Sequence, residues 1–160
     1  MAKSIQSSWI LIGLLALGCG APEAQDFSVE SMDSPGKRVT LSSFKGKVVV
    51  LDFWATWCTP CVASMPKLGA MYQRLKDKGL VVMGITTEDR TTVNEFLAQR
   101  KVAHPLFLDT TGEMGGPTTK FDVTVLPTMV IIDRKGNVFK REVGYSGDLS
   151  KIEAEIEKLL

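Results

Sequence analysis

The sequence predicts an α/β fold: a central mixed β-sheet flanked by helices on both faces. Two apolar runs, residues 48–54 and 80–86, read as strands buried on both faces. Segments of helical period follow each run. Near the end, two strand patterns flank Arg134-Lys135-Gly136-Asn137, which reads as a hairpin and adds an antiparallel component.

In chain order, residues 38–41 read as a short strand and 42–46 as a turn. The run 48–54 is the first central strand. In the helix after it, Val62, Met65, Leu68, Tyr72 and Leu75 recur at three- and four-residue steps, and Gly79 ends it. Residues 80–86 are the second central strand. Residues 89–101 form a helix with Val93, Phe96 and Leu97 inward, and 106–108 a short strand. Residues 110–120, rich in Gly and Thr, read as loop with at most a helical turn. Residues 129–133 and 138–143 are the hairpin strands. The last helix starts near Asp148, with Leu149, Ile152, Ile156 and Leu159 on one stripe.

At 160 residues, 44% hydrophobic and 23% charged, the chain suits one domain with a core that needs no disulfide staples. Its three cysteines therefore point to chemistry. The net charge is +1 and no dense basic run occurs, which excludes nucleic acid as the expected partner. No internal repeat appears.

The first residues stand apart. Lys3 is the only charge before an apolar run from Trp9 to Leu17, about half the ~20 residues of a membrane span. That is the pattern of an export signal. Ala16-Leu17-Gly18-Cys19 closes it and resembles a bacterial lipobox, in which the cysteine becomes the lipid-bearing N-terminus. The expected division is 1–18 signal peptide, 19–25 flexible tether, 26–160 folded domain. The alternative is a plain secretory signal cut near Ala21 or Ala24.

The stretch FWATWCTPCVASMP, residues 53–66, carries the chemistry. It joins the first central strand to its helix. Thr59 is the expected N-cap and Pro60 the first helical residue. Cys58 then sits where unpaired N–H groups and the helix dipole favour an anion, which lowers a thiol from its usual ~8.5. Cys61, one turn in, is the more buried partner. Cys58 exchanges with a disulfide and Cys61 resolves the mixed species. A zinc site needs four ligands, and only Cys19 and His104 remain to supply them. A static disulfide over so short a loop would restrain the unfolded chain little. Trp54 reads as core and Trp57 as a flat wall beside the sulfur.

Trp57-Cys58-Thr59-Pro60-Cys61 matches the WCxPC site of the thioredoxin superfamily. Within it, the chain is most similar to the exported TlpA/ResA-like thiol–disulfide oxidoreductases, from about Phe27 to Leu160. This resemblance implies a thioredoxin-like fold and a Cys58–Cys61 pair needing no further cofactor or metal. It implies a cis-proline at Pro127 in Val125-Leu126-Pro127-Thr128, and a substrate groove around Trp57, Thr59, Pro60 and Leu126. Asp52 matches the buried proton acceptor of thioredoxin itself, and burial should raise its pKa. Glu88 aligns with an acid lining the site in the ResA-like group, or else is a solvated charge opening the next helix. Pro66 matches a kinking helix proline. The glutamate often found two residues before it is Ser64 here.

The same resemblance implies a monomeric, lipid-anchored reductase at the cell envelope, on the periplasmic side. It would act on disulfides of exported proteins, apocytochrome c among them, with a membrane thiol reductant as donor and Cys19 as anchor. Two alternatives stand beside it. A copper chaperone of this fold usually spaces its cysteines by three and adds a histidine, for which His104 is the candidate. A peroxiredoxin-like peroxidase wants threonine three residues before the cysteine, where Ala55 stands.

Overall fold

A computed structural model describes residues 21–111, 115–145 and 147–160. The expected signal segment, Cys19 and the loop residues 112–114 lie outside the described residues. Seven strands form one sheet in the order β2-β1-β5-β4-β3-β6-β7. They are β1 (Ser28–Ser31), β2 (Arg38–Thr40), β3 (Val48–Phe53), β4 (Leu80–Thr86), β5 (Leu106–Leu108), β6 (Thr128–Ile132) and β7 (Val138–Val143). The helices are α1 (Thr59–Leu75), α2 (Arg90–Gln99), α3 (Pro117–Lys120) and α4 (Ser150–Leu159).

β3, β4 and β5 are parallel, and β1, β2, β6 and β7 join antiparallel. The mixed sheet follows from the connections. Helical crossovers return the chain parallel after β3 and β4, whereas the Asp133–Asn137 turn reverses it. Every residue of β3 and β6 is buried, as the unbroken apolar runs require. β7 alternates half-buried and exposed positions, as an edge strand does.

The sheet's two faces divide the core. Val48, Val50, Leu80 and Val82 point toward α1 and α4, meeting Leu68, Met71, Leu75, Ile152 and Ile156. Leu106 and Leu108 share that face and carry Val93 and Phe96 of α2. The three longer helices therefore lie together. The opposite face, with Val49, Leu51, Phe53, Met83 and Ile85, is covered by Phe27, Leu41 of a 3₁₀ turn, and Phe121 just after α3. Both faces are covered, but unequally.

β1 was not expected. Its Ser-Val-Glu-Ser carries one apolar side chain, too little for a periodicity signal, yet Val29 is fully buried against Phe107's cluster. α2 stops two residues earlier than expected because Arg100 is already extended ahead of the Pro105 turn. At its start Asp89 accepts the Thr92 N–H at 3.0 Å. After α1 a 3₁₀ turn, Lys76–Lys78, runs into Gly79 at φ 107°, a left-handed stop that suits glycine.

Part of the segment expected as tether is laid onto the sheet. Glu23 bridges Asn137, the Ala24 N–H donates to Gly136 O at 2.8 Å, and the Val138 N–H donates to Pro22 O at 2.8 Å. Three backbone pairings offset the entropy of ordering these residues. Among the described residues, no helix is long and apolar enough to cross a membrane.

Candidate active site

β3 delivers the chain to the redox pair. Trp54 is buried at its end, its ring 5.3 Å from that of Phe96. A tight turn then brings Cys58 N–H to Ala55 O at 3.1 Å. Cys58 and Cys61 are joined as a disulfide, Cα to Cα 5.3 Å.

The N-cap differs from the expectation. It is Cys58 itself, extended at φ −81°, ψ 93°, while Thr59 already has helical geometry and Pro60 follows inside the first turn. The Cys58 sulfur accepts the Cys61 N–H at 3.4 Å, so sulfur takes the place a serine or aspartate oxygen usually fills. This tightens the electrostatic case. A thiolate here accepts an unpaired helix amide directly, besides facing the positive end of the dipole.

Cys58 is 4% exposed and Cys61 1%, the order expected for attacking and resolving thiols. Trp57, at 73% exposed, and Val125, at 52%, form the open rim. Between them a cleft of about 230 Å³ is walled by Phe53, Thr86, Thr118, Val123 and Leu126, and among the described residues its lining carries no charged side chain. Leu126 also packs on the cluster holding both cysteines. The Leu126–Pro127 peptide is cis, and the Thr128 hydroxyl donates to Val125 O at 2.7 Å, bracing that loop. Thr59 and Pro60 are exposed beside the disulfide.

Glu88 is held on the turn that precedes the redox pair. One oxygen accepts the Thr56 N–H at 2.7 Å, the other the Thr56 hydroxyl at 2.7 Å. The Thr86 hydroxyl also approaches at 3.3 Å. Glu88 is a clamp on the turn that carries Trp57 and Cys58. Thr56, two residues before the cysteine, is the partner that sequence reasoning missed.

Asp52 is 1% exposed on the α1 face of β3, between Gly84 of β4 and Met129 of β6 in register. Burial pushes its carboxyl up to about 6, against the opposing pull of a hydrogen bond donated by the Tyr145 hydroxyl. Tyr145 was not anticipated. It lies in the connection after β7, 93 residues away in sequence, and no local pattern points to it. Burial and the Asp52 charge raise its own pKa, so it stays protonated and donates.

His104 is also buried, at 5% exposed, and neither ring nitrogen has a hydrogen-bond partner among the described residues. Burial lowers its pKa to about 4. The imidazole occupies space that a side chain on β4 would need: Nε2 lies 3.1 Å from where a Cβ on Gly84 would stand. Among the described residues, no three of His, Cys, Asp and Glu cluster as metal ligands. A larger cavity, about 410 Å³, lies at the other end of the sheet between Asp26, Lys45 and Arg134, away from the redox residues.

A family model described as Redoxin matches residues 20–156. A thiol-disulfide oxidoreductase ResA of Bacillus thuringiensis subsp. konkukian (strain 97-27) is 34% identical over 123 residues, 76% of this chain and 68% of that protein. Among solved structures, the crystal structure of a thiol:disulfide interchange protein, a thioredoxin family protein of Chlorobium tepidum TLS, superposes with TM-score 0.73 at 26% identity. It covers 88% of this chain and 97% of that one. The pneumococcal exposed lipoprotein thioredoxin Etrx1 of Streptococcus pneumoniae strain TIGR4 matches with TM-score 0.72 at 26% identity, covering 84% and 100%. The architecture is thus the thioredoxin-like one the sequence resembles.

Proposed function

The chain belongs to the Redoxin family and is a thiol–disulfide oxidoreductase of the ResA-like kind, and from that premise we propose that it works outside the cytoplasm as a reductant of other exported proteins. The observation that carries the chemistry is the Cys58–Cys61 disulfide at the start of α1, with the Cys58 sulfur capping the helix.

In the reducing direction the Cys58 thiolate attacks a substrate disulfide. One substrate sulfur leaves as thiolate and the other stays bound to Cys58. Cys61 then gives up its proton, with Asp52 as acceptor, and attacks Cys58 Sγ. The second substrate sulfur departs, and Cys58–Cys61 is oxidised by two electrons. A thiol donor returns those electrons through the same exchange. The uncharged cleft and the Trp57 rim suit an unfolded or extended segment around a cysteine pair. Apocytochrome c is the substrate in view, and a membrane thiol reductant the donor.

Lipid on Cys19 supplies the anchor in this reading, supported by the lipobox-like sequence and by likeness to an exposed lipoprotein thioredoxin. The domain's N-terminal residues run along the start of β7, whose Val138 pairs with Ile132, itself opposite Val49 at the beginning of β3. The redox pair lies beyond the other end of β3. Six strand residues span about 20 Å, so the anchor holds Cys58 away from the bilayer surface.

Insulin reduction driven by dithiothreitol tests the activity. Cys58→Ser should abolish it, and Cys61→Ser should accumulate a mixed disulfide on Cys58; normal turnover in either variant contradicts the mechanism. Palmitate labelling tests the anchor separately: lipid should appear on the wild-type chain and not on Cys19→Ala. An unlabelled wild type removes the anchor and leaves the redox chemistry standing.

A further inference from the structure

One side chain in the site takes no direct part in the thiol exchange. Tyr145 is 6% exposed and spends its hydroxyl proton on Asp52. Ser64, fully buried on α1, is a neighbour of Tyr145. Ser64 Oγ in turn donates to Cys61 O at 2.8 Å. Next to Tyr145, the Gly144 N–H donates to Pro127 O at 2.8 Å. Gly144 has φ 69°, a turn that lets the chain meet Pro127 and still send Tyr145 inward.

Resting on the reductase reading, we infer that Tyr145 is a positioning residue for the redox pair. Its hydroxyl holds the Asp52 carboxylate in register with the first turn of α1 and ties that carboxylate to the cis-proline loop through Gly144. Two residues of one turn therefore connect the loop where substrate docks to the acid that takes the Cys61 proton.

The physical need is plain. A carboxylate with no donor in this apolar layer would hold its proton too tightly to accept another at neutral pH. One hydrogen bond to the charged form returns it to the working range. Ser64 fits the same arrangement. A hydroxyl is small enough to leave the phenol its place, and its single proton serves Cys61 O.

Among the described residues, the groups around Asp52 are few. Tyr145 approaches from the β7–α4 connection, Cys61 and Ser64 belong to the first two turns of α1, and Cys58 is its N-cap. Across Gly84 on β4 stands neutral His104, and Met129 on β6 carries no charge. The burial and the Tyr145 bond are the influences acting on the carboxyl.

The test reads Asp52 directly. The carboxyl stretch of Asp52 is followed against pH by infrared difference spectroscopy on the oxidised full chain, with Asp52→Asn identifying the band. Tyr145→Phe should raise the Asp52 midpoint by about one pH unit, the loss of one charge-assisted bond. Resolution by Cys61, followed in a single turnover, should then slow by about fivefold at pH 6. In an Asp52→Asn background, Tyr145→Phe should leave that pH profile unmoved. Placing 3-fluorotyrosine at position 145 keeps the shape, strengthens the donor and should lower the midpoint. A midpoint unchanged in a folded Tyr145→Phe protein overturns the inference. If that variant does not fold, an unmoved midpoint with fluorotyrosine overturns it instead. The infrared reading needs no activity, so failure of the reductase reading would show separately, as an inert wild type.

Discussion

The two ends of the sheet treat the same side chain in opposite ways. At the redox end Asp52 is sealed under α1 with one phenol donor, and burial lifts its pKa to about 6. At the far end Asp133 opens the hairpin turn. It accepts the Lys135 and Asn137 N–H groups, each at 2.9 Å, and these bonds with nearby Lys135 hold its carboxyl below the ordinary range. Asp26 follows the same rule there, taking the Ser42 N–H at 2.9 Å. At the far end the carboxylates stabilise the fold. At the redox end one weakens the fold and is kept for what it does to protons.

The largest expected effect concerns acid. Asp52 has a folded pKa of about 6 against an ordinary 3.8, so its ionisation costs stability as pH rises between those values. His104 has a folded pKa of about 4 against 6.5, so its protonation costs stability as pH falls between those values. Each amounts to roughly 3 kcal/mol over its window. Between about pH 4 and 6 the two slopes are opposite and nearly cancel. Urea midpoints should therefore change little over that range in the wild type. In Asp52→Asn the midpoint should fall with acid, reporting a stability loss of about 2–3 kcal/mol, and in His104→Leu it should rise, reporting a similar gain. Flat profiles in both variants would show that neither group titrates as burial requires.

A second contrast sets the same substitution at each end. At pH 7.5, Asp52→Asn should stabilise the fold by up to about 3 kcal/mol, because it removes a buried charge. It should slow turnover at the same time. Asp133→Asn should destabilise by about 0.5–1 kcal/mol, losing part of two turn hydrogen bonds in a solvent-screened setting, with turnover unchanged. Thermal melts with the insulin assay read both. If the two substitutions moved stability in the same direction, the contrast between the ends would be wrong.

The local devices were legible in the sequence. The apolar run of β3, the stop at Gly79, the start of α2 near Asp89 and the Cys-x-x-Cys at a helix start are each decided by a few neighbouring residues. Even there the cap shifted by one position, because Thr59 takes helical angles and leaves the extended place to Cys58. β1 was hidden because its pairing partners, Leu108 and Thr40, supply what its own sequence lacks. The docked residues 22–24 were hidden for the same reason, since the hydrogen bonds come from a turn more than a hundred residues later.

The sequence by itself determined the order of the central strands and their helices and the redox pair, because hydrophobic period and helix-end chemistry act within a few residues of chain. Only the tertiary structure decided which groups share a buried space. It set Tyr145 against Asp52, Glu88 against Thr56 and His104 over Gly84. Burial and hydrogen bonding depend on distance in space, and they set the proton affinities on which this chemistry runs.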